Sequence, residues 1–262
     1  MSFPVAAAFG IGPREVVTLV GGGGKTTTMY RLARELMQRD GGVIVTTTTN
    51  ILPPDRQRDL QLIVEEVPDR ALARCLAALA ERHIPVLGTR LRPDGRLAGI
   101  PADLVDALAA HHGVNHVVVE ADGAATKPFK APLPHEPVVP ASTTLLVAVV
   151  GADALGLPLE AEHVHRPQRV AQLSGAPLGA PVTAETIASV LLHGEGPLRD
   201  APPGARCLVL VNKADTPERY AAAQRIAAAV QAGNGPRVVI GAVASDSPFE
   251  IPSARQHWPN DR

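Results

Sequence analysis

The sequence has few aromatic residues and almost no net charge. Phe, Trp and Tyr make up 3% of its 262 residues, and 25 basic and 26 acidic side chains leave a formal net charge of −1. Proteins that bind single-stranded nucleic acid need aromatic stacking surfaces, and binders of polyanions need a basic surface. The composition therefore predicts no nucleic-acid partner.

Cysteines and long apolar runs are also scarce. Cys75 and Cys207 lie far apart and form no CxxC pair, which is typical of a reducing compartment and offers no thiolate metal cluster. No apolar run reaches the 18 or so residues that a membrane span needs. Residues 1–12 lack the basic start and apolar core of a signal peptide. We therefore expect a cytoplasmic protein that does not enter a membrane.

Short β-rich runs alternate with helical stretches along most of the chain. This alternation predicts an α/β fold of the three-layer P-loop NTPase type, with a largely parallel sheet flanked by helices. We expect one domain over 1–246, with a small insertion around 84–100 and a loose C-terminal tail over 247–262. The predicted strands are 15–20, 43–48, 60–64, 116–120, 145–150, 207–211 and 238–243. The predicted helices are 25–39, 69–82, 102–110, 183–192 and 217–231.

A glycine-rich loop joins the first predicted strand to the first predicted helix. It consists of Gly21, Gly22, Gly23, Gly24, Lys25, Thr26 and Thr27. Backbone N–H groups in such a loop and at a helix N-terminus can surround a phosphate. Lys25 would place a cation between the β- and γ-phosphates, and the Thr26 hydroxyl would ligate Mg²⁺. The loop predicts a site for a nucleoside triphosphate with Mg²⁺.

Two positions depart from known forms of this loop. The standard pattern has a glycine where this chain has Leu19. The local sequence resembles the variant K-G-G-x-G-K-T of the SIMIBI branch of P-loop proteins, but Val20 replaces its first lysine. In some dimeric ATPases that lysine serves the partner subunit's nucleotide, so its absence argues against such a mechanism here.

A second motif is the acidic end of the strand predicted over 116–120. Glu120 and Asp122 alternate in the same direction, so both can face the phosphate site, one holding Mg²⁺ and the other orienting the attacking water. The sequence does not assign these roles, and a solvent-exposed acidic turn is the alternative. Hydroxyl and amide groups from 46–50, including Thr49, would also lie near the γ-phosphate, unless these threonines are only strand formers.

A third motif, N-K-x-D, follows the strand predicted over 207–211. Asn212 would connect this loop to the phosphate loop, the Lys213 stem would cover the base, and Asp215 would accept two hydrogen bonds from guanine. Residues 241–245 end the last strand, where GTPases place a base-contacting loop. These features favour GTP over ATP.

Two other polar groups have open roles. Lys127 and Lys130 follow the acidic strand and would contact phosphate or an anionic pterin-type ligand, or else form a solvated basic turn. His163, His165 and Arg166 form a polar cluster whose two histidines cannot share a helix face. It is either a polar surface or structural cap, or a ligand site in a loop or a strand pair.

Together these motifs resemble the YqeC family. The resemblance runs from about Val16 to Ser245 and rests on residues 20–27, 45–51, 120–124, 127–132 and 212–215. The family is described as accessory to selenium-dependent molybdenum hydroxylases. The resemblance implies a nucleotide-dependent role in preparing such an enzyme or its cofactor, with a hydroxylase or a cofactor-assembly protein as partner.

Three functions follow from these observations. The first is an NTPase in which Lys25, Glu120 and Asp122 are catalytic and nucleotide turnover gates docking to an assembly partner. The second is a transferase that passes a phosphoryl or nucleotidyl group to a cofactor precursor. The third is a nucleotide-sensing module with negligible turnover.

Overall fold

The computed structural model describes residues 4–54 and 57–245 of the chain. The helices are α1 (Val5–Phe9), α2 (Lys25–Arg39), α3 (Pro68–Ala80), α4 (Ala102–Ala110), α5 (Pro167–Ser174), α6 (Ala184–Leu192) and α7 (Pro217–Ala232). The longer strands are β1 (Glu15–Gly21), β2 (Val43–Thr47), β4 (Leu60–Val64), β5 (Ile84–Gly88), β7 (His116–Glu120), β9 (Leu145–Gly151), β11 (Arg206–Asn212) and β12 (Arg237–Ile240). The short strands are β3 (Asn50–Ile51), β6 (Leu97–Ala98), β8 (Phe129–Lys130) and β10 (Val164–His165). The tail expected over 247–262 lies outside the described residues.

The eight longer strands form one parallel sheet in the order β12-β11-β9-β1-β7-β2-β5-β4. The strand β1 lies between β7 and β9, with Val17 opposite Val118 on one side and Leu145 on the other. Parallel strands require crossover connections, and helices supply five of the seven, through α2, α3, α4, the pair α5 and α6, and α7. All eight strands therefore present their carboxyl ends at one edge.

Helices cover both faces of the sheet, as the near-continuous apolar strands require. Val17 and Leu19 of β1 pack with α1 and α2 on one face. On the other face, Val16 packs with α3 and α4, and Val20 packs with α5, α6 and α7. The expected three-layer, P-loop-like α/β fold is confirmed.

The segment 84–100 differs from the expected insertion. Ile84–Gly88 is a fully buried strand of the main sheet, between β2 and β4. Only the turn that follows leaves the sheet, and its strand β6 pairs with β3 in an antiparallel ladder. The five apolar residues of β5 are too few to distinguish a sheet strand from an insertion by periodicity.

None of the helices in the described ranges is long and apolar enough to cross a membrane.

Candidate nucleotide site

The predicted motifs meet at the carboxyl edge of the sheet. The phosphate loop follows β1, the acidic motif follows β7, and N-K-x-D follows β11. Because β7, β1, β9 and β11 are successive neighbours, these loops lie side by side. Ligands of open α/β sheets bind at this edge, outside the carboxyl ends of the strands.

The phosphate loop has a backbone shape that needs glycine. Gly23 and Gly24 have φ values of 79° and 113°, a region that residues with a Cβ rarely adopt. A Cβ on Gly23 would lie 2.1 Å from the backbone nitrogen of Gly151. Side chains are therefore excluded where the loop meets the end of β9.

The loop ends in a group of donors at the start of α2. In the described part of the chain, no acceptor receives the backbone N–H groups of Gly24, Lys25, Thr26 or Thr27. They are the unsatisfied donors that the start of a helix always leaves, and they carry its partial positive charge. The amides of Gly22 and Gly23 differ, because they donate to Val149 O and Lys127 O. An anion would therefore meet four unengaged amides.

Lys25, at the start of α2, contacts both Glu120 and Asp122. Its ammonium group donates to Gly21 O and lies 3.5 Å from Glu120 Oε1 and 3.3 Å from Asp122 Oδ1. The side chain is almost wholly buried, which by itself would lower the pKa of Lys25, but the two carboxylates outweigh burial and raise it. Lys25 is therefore a fixed cation.

The two carboxylates occupy different environments. Glu120 Oε2 accepts from the Thr26 hydroxyl at 2.8 Å, so the two oxygen groups expected at a Mg²⁺ ion are adjacent. Burial raises the pKa of Glu120 above its usual value, against the opposing effect of Lys25. Asp122 is completely buried, and both its oxygens accept from the Gly21 amide at 3.0 Å. Glu120 therefore contacts the Thr26 hydroxyl, whereas Asp122 binds the backbone of the phosphate loop at Gly21.

The threonines at and after the end of β2 support the end of β7. The Thr47 hydroxyl donates to Glu120 O at 2.7 Å, and the Thr48 amide donates to the same oxygen. Thr49 is half-buried, and its amide donates to the Thr47 hydroxyl. Thr47, which was not singled out from the sequence, thus fixes the backbone that carries Glu120.

Lys127 and Lys130 differ in exposure, and the solvated turn that was one alternative is wrong for Lys130. The Lys127 carbonyl accepts from the Gly23 amide at 3.0 Å, and its ammonium group bonds to Glu162 O. Lys130 is buried, and its ammonium group lies 2.9 Å from Asp122 Oδ2. This segment therefore packs directly against the phosphate loop.

Asn212 joins its loop to the phosphate loop, as the N-K-x-D motif predicts, and also binds the segment after β12. Its side chain donates to Gly23 O at 2.9 Å and accepts from the Val243 amide at 3.0 Å. It thus holds the phosphate loop against the segment after β12.

The other two residues of the motif form ion pairs. Lys213 Nζ lies 2.8 Å from Asp153 Oδ2, and exposed Asp215 pairs with Arg219 at 2.8 Å. Asp153 was not a candidate from the sequence, since no motif marks its place after β9.

The histidine cluster has a structural contact that the sequence did not reveal. Arg166 forms two hydrogen bonds with Glu136, one of them 2.9 Å from Nη2 to Oε1. Burial, with the nearby charges of Arg166 and Lys130, lowers the pKa of His165 to about 4. Among the described residues, no group of three or more His, Cys, Asp or Glu side chains is arranged to hold a metal ion.

The parallel sheet and the glycine-rich loop between β1 and α2 define a P-loop-like α/β domain. The family model described as YqeC protein matches residues 17–168, more than half of the chain. The chain belongs to the YqeC family.

A curated relative covers less of the chain. It is a protein of Escherichia coli (strain K12), described as uncharacterized protein YqeC, and it is 30% identical over 119 residues. The match covers 45% of this chain and 46% of the relative, so the chain spans about half the length of that protein.

Proposed function

We propose that this chain binds a nucleoside triphosphate with Mg²⁺ and hydrolyses it. The observation that carries the proposal is the contact of the Thr26 hydroxyl with Glu120, beside the buried Lys25 and at the start of α2. A cation, a hydroxyl–carboxylate pair and unengaged amides are the groups that phosphoryl-transfer sites share. The pairing of a loop after β1 with a carboxylate after β7 supports the proposal.

Each group would have a separate task. The amides and Lys25 would bind the β- and γ-phosphates, because both stabilise negative charge in a site with little water. The oxygens of Thr26 and Glu120 are hard donors that suit Mg²⁺. Thr26 and Glu120 would hold Mg²⁺ there, and the ion would supply positive charge to balance that on the phosphoryl group that is transferred.

We further propose that guanine is the preferred base. Support comes from Asn212, whose two hydrogen bonds place the N-K-x-D loop beside both the phosphate loop and the segment after β12. Asp215 is exposed and would exchange its ion pair with Arg219 for two donors of guanine. An exposed pair of this kind contributes little, typically below about 1 kcal/mol, so the exchange is inexpensive.

The physiological role that we propose is maturation of a molybdenum hydroxylase or its cofactor. Its support is the likeness of residues 120–132 to the YqeC family, as set out from the sequence. An acceptor or a partner protein would approach the carboxyl edge of the sheet, where the phosphates would lie.

The experiment measures binding and turnover on one purified preparation. Titrations with GTP and ATP, each with Mg²⁺ and with EDTA, should give tighter Mg²⁺-dependent binding of GTP, and phosphate release should follow. Turnover only after a cofactor precursor is added would favour the transferase, and tight binding without turnover would favour the sensing module. If neither nucleotide binds, the proposal is wrong.

A further inference from the structure

Lys130 is a buried lysine whose three donors all have partners. Its ammonium group contacts Asp122 Oδ2 at 2.9 Å, Glu136 Oε2 at 2.8 Å and Gly123 O at 2.7 Å. The side chain has no solvent exposure. Lysine is almost never fully buried unless it is paired. Here the three partners offset the desolvation cost of burying the Lys130 ammonium group.

Lys130 forms a second ion pair, with Glu136. Glu136 accepts from Lys130 and also forms two hydrogen bonds with Arg166, at the start of α5. The charges therefore alternate from the phosphate loop outwards, in the order Lys25, Asp122, Lys130, Glu136 and Arg166. Since each interior charge lies between two of opposite sign, none is left uncompensated.

Asp122 connects this row of charges to the phosphate loop. Its Oδ1 lies 3.3 Å from Lys25 Nζ, its Oδ2 lies 2.9 Å from Lys130 Nζ, and both oxygens accept from the Gly21 amide. A phosphate that binds Lys25 competes with Asp122 for the same ammonium group. If Lys25 were the only cation at Asp122, that competition would leave a buried carboxylate unpaired, which is strongly unfavourable.

We propose that Lys130 is a positioning residue. Its ion pair with Asp122 Oδ2 compensates the charge of that carboxylate, so that Lys25 is available to the triphosphate. Glu136 and Arg166 keep Lys130 in place for this task. The inference rests on the proposed triphosphate site and adds to it a residue that contacts neither nucleotide nor metal. Lys130 thereby sets the affinity for triphosphate through Asp122 and Lys25.

The test compares Lys130→Met with the double variant Asp122→Asn/Lys130→Met. In Lys130→Met, Asp122 has only Lys25, so the affinity for GTP with Mg²⁺ should fall by about tenfold or more, as when one partner of a buried charge pair is truncated. Turnover at saturating GTP should stay close to that of the wild type. In the double variant Lys25 keeps only Glu120, a contact that it also has in the wild type, and the Asp122 charge no longer competes with the phosphate for Lys25. The affinity should therefore recover to near the wild-type value.

Arg169→Met is the matched control. Arg169 donates to Pro132 O, in the same loop as Glu136, and pairs with Glu195 without contacting Asp122. The substitution removes one cation of α5 that contacts the same loop, so it should leave GTP affinity unchanged. An equal loss in Arg169→Met would assign the effect to the loop and overturn the proposal.

The remaining outcomes separate the inference from the function on which it rests. A wild-type protein that binds no triphosphate contradicts the proposed function, whatever Lys130 does. A wild type that binds GTP, with a folded Lys130→Met that binds equally well, overturns the inference alone. If Lys130→Met does not fold, the double variant decides, and a folded double variant without GTP binding also overturns the inference.

Discussion

Glu120 and Asp122 should respond differently to loss of charge. In Glu120→Gln the amide oxygen can still accept from the Thr26 hydroxyl. The amide nitrogen would face the Lys25 ammonium group at about the 3.5 Å that now separates that group from Oε1, a single longer contact, and Lys25 keeps Asp122 at 3.3 Å. We therefore expect a folded protein that binds nucleotide but hydrolyses it about 10² times more slowly or worse, since charge stabilisation at the phosphoryl group is lost. Its dependence on Mg²⁺ should also weaken.

Asp122→Asn should lower the free energy of unfolding. Both oxygens of Asp122 accept hydrogen bonds, so an amide group in either orientation would point an N–H at another donor. Breaking a buried ion pair on one side costs about 3–5 kcal/mol. Small domains have only about 5–15 kcal/mol of unfolding free energy, so a large share of the stability should be lost.

Urea unfolding followed by circular dichroism gives the two free energies of unfolding, and phosphate release gives the two rates. The expected pattern is a stable, slow Glu120→Gln and an unstable Asp122→Asn. The reasoning is refuted by the reverse pattern, in which Asp122→Asn is as stable as the wild type and inactive while Glu120→Gln turns over normally.

Three further changes test neighbouring groups. Lys25→Ala should abolish triphosphate binding in a titration with a fluorescent nucleotide, because it removes the cation at the phosphates; unchanged affinity would contradict the site. Asp215→Asn should shift the preference from guanine towards xanthine nucleotides in a competition titration, since an amide presents a donor where the carboxylate accepted; a wild type that strongly prefers ATP would contradict the base assignment. Burial would raise the pKa of Glu136, but Arg166 and Lys130 outweigh it and lower this pKa from 4.5 to about 2. Its contribution to stability is therefore complete above about pH 4.5 and is lost as pH falls towards 2. Glu136→Gln should flatten that part of the curve of unfolding free energy against pH, and an unchanged curve would show that the ion pair adds no stability.

The parts of the fold with strong local signals were predictable. Helix α2 spans Lys25–Arg39, the predicted range, and α6 spans Ala184–Leu192 within the predicted 183–192. The helix α1 was not predicted, because five residues give too short a pattern for periodicity to identify. The strand β5 was misplaced because its position depends on pairing with β2 and β4, which no local pattern encodes.

In the candidate site, too, local motifs were predictable and the contacts between segments were not. The glycine loop, the acidic strand end and N-K-x-D are local motifs, and the structure brings all three to one edge. The contacts of Lys130 have no such motif. Asp122 and Glu136 lie within eight residues of Lys130, but in a mostly irregular segment whose spacing predicts no contact, and Arg166 reaches Glu136 from the start of α5. The sequence therefore left Lys130 with two alternatives.

The position of β1 between β7 and β9 also bears on how the protein is made. Glu15 lies opposite His116, and Val17 lies opposite Leu145, so β1 leaves the ribosome well before the strands that pair with it. Contacts this distant in the chain are slow to form, because the entropy of closing a long loop is lost before the contact stabilises it. A nascent chain that ends before Gly151 contains the glycine loop but lacks the Gly151 backbone against which Gly23 packs. A nucleotide would therefore add its binding energy only to the last stage of folding.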